Sequence, residues 1–373
     1  MKNFTLYLGC IFTVSLSFNV FSVQLHPKLN PQNSSWDDTS KTITINKSVV
    51  FGNDKDKEAF YWNIPKAVKK VILGKDVTIT GGFRFTDQAE ITGLDRDSSI
   101  IYGTETYAWA RGKNKKQDPG TSCKNGPKGD DIVHDCEKWS YGAISVIGKA
   151  PKHLRYKVSN LTIINPRTYA ITSQNHAFDI DRVTILNTRI DDTQSNSDGI
   201  GGGPNTRITN TKIDTWDDAI KLYKDGMHVE NVTIIHNGNG APFQFGWSNK
   251  KPANFYLKNI LVKQGIPKQR DKRYNLALFT NSGGTVSPSV TIDGLAVEYT
   301  DQTKMNIRGS KPTAMPLVYI RGTEKTKVEL KHVENSPLHL KVDQLHIGKG
   351  EVKTNFKLPT LNNRQAEITG CRC

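Results

Sequence analysis

The sequence predicts an all-β chain wound as a solenoid of stacked parallel coils, and three observations carry that prediction. Short β-branched runs recur along most of the 373 residues, and no helix-length amphipathic segment lies between them. Five positions, Asn160, Arg182, Asn210, Asn231 and Asn259, also fall into one register, with gaps of 22, 28, 21 and 28. Each run is too short to hold by itself, but stacking buries its Ile and Val against the next coil. The rival fold is a β-sandwich, whose hairpins want dipeptides such as Asn125-Gly126, Asp198-Gly199, Asn237-Gly238 and Asn239-Gly240.

The elements follow in order. Met1-Lys2-Asn3 and the apolar run Phe4 to Phe21 have the form of a secretory signal, so residues 1–22 are expected to be cut away after Ser22. That places the mature chain outside the cell or in a periplasm. No other stretch reaches the ~20 apolar residues of a membrane span. Residues 23–58 form a polar N-terminal segment with one strand-like piece, Thr42 to Ile45. Residues 59–373 read as the solenoid, through Val71-Ile72-Leu73, Val77 to Thr80, Asn160 to Ile164, Val183 to Leu186, Asn231 to Ile235 and Asn259 to Val262. Two polar excursions, 103–140 and 265–290, interrupt it and have the length of loops that shape a binding site. Weaker strands, Val328 to Leu330 and Leu345 to Ile347, read as last coils and a cap.

Cysteine and charge bound the function classes. Cys123 and Cys136 bracket one polar loop and are expected to pair in an oxidising compartment, whereas Cys371 and Cys373 are too close for an easy bridge. Their spacing forms no zinc set. The formal charge is 51 − 36 = +15, or +14 without the signal and its one lysine, which suits an acidic partner or merely a soluble surface. A secreted chain with no helix-in-groove or aromatic-sheet motif is not read as nucleic-acid-binding. A monomer without cofactor or metal is expected.

The chemistry concentrates between Asp198 and Tyr223. Asp198 and Asp217 are 19 positions apart, about one coil, and Asp218 adjoins the second. Neighbouring parallel strands lie ~4.8 Å apart, so the three carboxylates would stack on one face. Clustered carboxylates repel and some retain protons, which suits acid–base cleavage of a glycosidic bond. Alternation sends Ile220 and Leu222 inward, and Asp217, Lys221 and Tyr223 outward. Asp218 would then have to sit at the turn entering the strand, since an unpaired carboxylate is not tolerated in a core. The bland reading is that the Asp217-Asp218 pair caps a turn or pairs with Lys221. Gln244, between Phe243 and Phe245, faces the same groove, and Trp247 stands at its rim to stack on a sugar face. His176 and His236 read as ordinary polar residues.

Asp198-Gly199, the run Asp217-Asp218-Ala219-Ile220-Lys221-Leu222-Tyr223, and Gly240-Ala241-Pro242-Phe243-Gln244-Phe245-Gly246-Trp247 together resemble glycoside hydrolase family 49, the dextranases and isopullulanases. Weaker similarity runs from about Ala59 to Tyr319. Gly74 to Phe83 is similar to an early coil, and Ile101 to Tyr107 to the family's tyrosine segment, which adds Tyr107 to the substrate contacts. The resemblance implies a right-handed parallel β-helix that hydrolyses a polysaccharide with inversion. Carried over by position, Asp217 is the general acid, and Asp198 and Asp218 activate water. An inverting acid and base are expected ~6.5–9.5 Å apart. Family members carry a β-sandwich ahead of the helix, and the 36 residues from Val23 to Glu58 are too few for one.

Three alternatives stand beside this reading. Lys250-Lys251 and Lys268 through Arg273 would suit a hydrolase of an acidic, sulfated or uronic polysaccharide. Lys221 near the acids would suit a polysaccharide lyase with Ca²⁺-binding carboxylates and a lysine base. A groove alone would suit a non-catalytic carbohydrate-binding solenoid.

Overall fold

Strand pairing is parallel almost throughout, which excludes the sandwich. The computed structural model describes residues 23–52, 60–104, 142–147, 149–173, 175–188, 198–237, 240–245, 252–265, 278–281, 288–298, 318–320, 327–335, 345–347 and 351–354. Among them are 26 strands in two sheets, one of 16 strands and one of 10. Among the strand pairs, only Ser34–Asp37 with Thr42–Ile45 is antiparallel. Thr42–Ile45 then stacks in parallel on Lys70–Leu73, so the first coil starts inside the polar N-terminal segment. The fold is a parallel β-helix.

The core is a set of side-chain columns. In the larger sheet, register aligns Ile43, Val71, Ile91, Val158, Ile180, Ile208, Val229, Leu257, Ile292 and Leu330, all buried. In the smaller sheet, Phe83, Ile144, Ile171, Ile200, Ile220, Phe243 and Phe279 form another, each at 0% exposure. Within it Phe243 and Phe279 are stacked rings, centroids 4.9 Å apart. One buried side chain of this size contributes about 1.5–3 kcal/mol, and the long strands Arg155–Ile164 and Met227–His236 supply four each. Strands of two or three residues therefore persist, which their own propensity would not allow.

The register read from the sequence has a backbone cause. Asn160, Arg182, Asn210, Asn231 and Asn259 have φ between 51° and 54°, and Gly294 and His332 continue the series at 82° and 49°. Each sits where the larger sheet turns a corner, a left-handed conformation that Asn and Gly adopt more cheaply than other residues. The side chains also link the coils. Asn210 donates to Asp181 Oδ1 at 2.8 Å, Asn231 to Asn210 at 3.3 Å and Asn259 to Asn231 at 3.0 Å.

No helix among the described residues is long and apolar enough to cross a membrane. The signal segment, the two cysteine pairs, Lys250-Lys251 and the cluster Lys268 through Arg273 lie outside the described residues.

Candidate active site

The smaller sheet positions the site. Its outward positions, one after the apolar column, read Arg84, Ser145, Thr172, Gly201, Lys221, Gln244 and Thr280, a polar row on successive coils. Two positions before the column, in the turns entering the strands, Tyr169, Asp198, Asp218 and Ala241 are stacked. Backbone bonds tie that second row: Ala170 N to Asp198 O at 3.0 Å, Gly199 N to Asp218 O at 3.0 Å and Ala219 N to Ala241 O at 2.9 Å. The coil of Asp198 and the coil of Asp217-Asp218 are thus immediate neighbours. Gly199 is needed at this approach, because a Cβ there would lie 2.3 Å from the Ala219 carbonyl.

The three acids converge. Asp198, Asp217 and Asp218 each offer a carboxylate oxygen, all within 4.8 Å of one another, and they are the one such acidic cluster among the described residues. This spacing is tighter than the ~6.5–9.5 Å expected of an inverting pair and nearer the ~5–5.5 Å of a retaining one. Asp198 and Asp218 are buried, at 2% and 4% exposure, whereas Asp217 is half-buried at the rim. Asp218 turns toward the groove from the turn, as the alternation requires. Its Oδ1 accepts from the Ala241 N–H at 2.9 Å and its Oδ2 from Lys221 at 2.6 Å. The same ammonium lies 2.9 Å from Asp198 Oδ1. Asp217 Oδ1 accepts from the Asp218 N–H at 3.0 Å.

Lys221 is the electrostatic hub. It is buried, and burial by itself would push its pKa down. Asp198 and then Asp218, with Tyr223 and Tyr169, outweigh that and hold it well above the usual lysine value. It is a permanent cation, and it supplies to two acids the positive charge a metal ion would bring. It also donates to Gln244 Oε1 at 3.1 Å and lies 3.5 Å from the Tyr223 hydroxyl, which itself donates to Gln244. Burial pushes the Tyr223 hydroxyl upward, so it remains a donor. Lys221, Tyr223 and Gln244 are therefore brought together with the acids, and the pairing of Lys221 with the acids is realised as part of the site. Tyr107 and Trp247 lie outside the described residues.

Sequence reasoning missed two contributors. Tyr169 stacks one coil ahead of Asp198, with its ring 5.6 Å from Lys221 Nζ, and burial raises its hydroxyl well above the ordinary tyrosine range. Counting on from the corner residue would have found it: Tyr169 is nine after Asn160, as Asp218 is eight after Asn210 and Ala241 ten after Asn231. Gly240 is the other. At φ +66°, its Cα is so close to the acids that a Cβ would meet Asp217 Oδ1 at 2.4 Å and Asp218 N at 2.5 Å. Beneath it His236 is buried and hydrogen-bonded to the Gly240 backbone, and burial lowers its pKa to about 4. His176 is tied to Ser173 Oγ at 3.0 Å and Ala150 O at 2.9 Å, a structural histidine.

No family model matches the chain. A dextranase of Arthrobacter globiformis is 21% identical over 281 residues, and a dextranase of Arthrobacter sp. (strain CB-8) is 22% identical over 252. In sequence the chain is similar to these dextranases. The alignments take in 71% and 64% of it but 40% and 36% of the relatives, so it spans well under half the length of the dextranases it matches. Solved structures that overlay in part include Dex49A from Penicillium minioluteum, at 12% identity, 78% of this chain, 55% of that one and a TM-score of 0.47. Endo-xylogalacturonan hydrolase from Aspergillus tubingensis overlays at 14% identity, 79% and 85% coverage and a TM-score of 0.34.

Proposed function

We propose that the protein is a secreted glycoside hydrolase that cleaves internal bonds of a polysaccharide with inversion, in the manner of a dextranase. The observation that carries the reading is the Lys221 ammonium held between the buried Asp198 and Asp218, with the half-buried Asp217 at the rim beside them. The ammonium lies within ion-pair distance of both the Asp198 and the Asp218 carboxylates. A proton is best placed on Asp217, where it relieves repulsion with two charged neighbours. Asp217 gives that proton to the leaving oxygen as the glycosidic bond breaks. A water held by Asp198 and Asp218 attacks the anomeric carbon and passes its proton to that pair. Both Asp218 oxygens are already engaged, by Ala241 N and Lys221, which suits a carboxylate that orients water better than one that attacks carbon.

A lyase needs a base that loses its proton near neutral pH, and Lys221, doubly paired, does not. The tight carboxylate spacing favours one second reading, retention through a covalent intermediate. The test of the hydrolase reading is a product screen on neutral and anionic polysaccharides, with and without chelator. New reducing ends from at least one polymer, undiminished by chelator and abolished in Asp217→Asn, are expected. Unsaturated products, or binding without cleavage across the panel, would overturn it.

A further inference from the structure

One buried cation, a coil ahead of Asp198, is paired with no acid among the described residues. Arg167 lies in the turn between the strands Arg155–Ile164 and Ile171–Thr172, two residues before Tyr169 and one coil ahead of Asp198. It is among the most deeply buried large side chains, at 1% exposure. Its Nε and Nη1 have no hydrogen-bond partner, and no ion pair to it is found among the described residues. Its guanidinium carbon lies 6.0 Å from the centroid of the Phe60 ring. Register counting places Phe60 in the row that continues through Gly81, Gly142, Tyr169, Asp198 and Asp218. The side chain therefore reaches along the helix axis, from the acids toward the first coils, past two positions where glycine leaves no side chain. In the same coil, the buried Thr172 Oγ1 on the outward row is also without a hydrogen-bond partner.

Buried charges are paired or bind a ligand, because removal from water is costly. Lys221 obeys this rule twice over, whereas Arg167, one coil ahead of Asp198, is paired with no acid among the described residues. A guanidinium that cannot lose its charge, with unused N–H groups, matches a planar or tetrahedral oxyanion. We propose that Arg167 is an anion receptor of the groove, taking the carboxylate or sulfate of a charged sugar unit bound on the N-terminal side of the acids. This rests on the glycan-hydrolase reading and adds a substrate class to it, an acidic polysaccharide. Because Arg167 is buried, at 1% exposure, the site would admit a small anionic substituent and not a whole sugar ring.

The test uses the full chain carrying Asp217→Asn, so that binding is read without turnover. Calorimetric titrations compare hexagalacturonate, a sulfated isomaltohexaose and neutral isomaltohexaose in about 0.3 M salt, where exposed charges are screened beyond roughly 6 Å. One acidic hexamer should bind at least about tenfold more tightly than the neutral one, the scale of a charge-assisted hydrogen bond. Which of the two it is distinguishes carboxylate from sulfate. Arg167→Met should abolish the preference and Arg167→Lys should keep only part of it. An unchanged preference in Arg167→Met overturns the proposal. If that variant fails to fold, an unchanged preference in Arg167→Lys does so, since lysine lacks the planar fork. Tighter binding of the neutral hexamer, or a response to inorganic sulfate with neither acidic hexamer preferred, also overturns it. Hydrolysis is scored separately on the unmutated chain. Acid preference without cleavage leaves the anion site standing and removes the hydrolase reading, and cleavage without acid preference does the reverse.

Discussion

Replacing Lys221 by Met keeps most of the side-chain volume and removes the charge that holds the site together. Asp198 and Asp218 would then face one another with oxygens within 4.8 Å. At an effective dielectric constant near 20, two unit charges at that separation repel by about 3.5 kcal/mol. Breaking a buried ion pair by removing one partner costs about 3–5 kcal/mol by the same logic. Both pairs are buried, with side-chain exposures of 8% and 3% for Lys221–Asp198 and 8% and 6% for Lys221–Asp218, so solvent screening does not erode the figure. Urea unfolding at pH 7 measures it on the parent, on Lys221→Met and on the triple variant Asp198→Asn, Asp218→Asn, Lys221→Met. The single variant should lose about 3–5 kcal/mol. The triple variant should recover more than half of that, because its neutral amides no longer repel. A single variant within about 1 kcal/mol of the parent, near the value of an ordinary hydrogen bond, would refute the reasoning. So would a triple variant no more stable than the single one.

Three further outcomes are expected. Gly240→Ala places a methyl 2.4 Å from Asp217 Oδ1 at a residue with φ +66°, so it should lose about 1–3 kcal/mol and most hydrolysis; thermal melts with rate measurements check this, and a variant with the parent's rate contradicts it. His236 stays neutral in the folded chain, with a pKa of about 4 against an ordinary 6.5, so the unfolded chain binds its proton first. Its stability contribution is whole above pH 6.5, declines as pH falls and is gone by about pH 4, a loss of about 3 kcal/mol; His236→Asn should flatten stability against pH in that window, and equal slopes in parent and variant would contradict it. Asn231→Ala should cost about 1–2 kcal/mol at its φ of 54° and with two coil-linking bonds lost, and Asn231→Gly should cost less, as denaturant midpoints will show.

How far the sequence could be read follows from which constraints are local. The corner of the larger sheet demands a left-handed residue once per coil, so the chain advertises its register as spaced asparagines. The strands of the smaller sheet make no such demand. Ile171–Thr172 and Ile200–Gly201 are held by the coils above and below them, and two residues carry no periodicity. Parity along Ile220–Leu222 placed Lys221 and Tyr223 in the groove, and the adjacency of Asp198 to Asp217-Asp218 followed from one coil of separation. Tyr169 could be reached only by counting nine residues on from the corner at Asn160, and Gly240 was not legible, because its contacts cross from coil to coil and depend on loops of unequal length. The carboxylate separation was likewise beyond reach, since it depends on how far Lys221 draws Asp198 and Asp218 together.

Anomer-resolved NMR of freshly released products, on whichever polymer the screen identifies, tests the assigned roles most directly. With Asp217 as acid and a water held by Asp198 and Asp218 as nucleophile, the first product seen must have inverted configuration at the cleaved carbon. Retention would mean that one of the carboxylates, lying within 4.8 Å of the others, attacks the sugar itself, and would contradict the account.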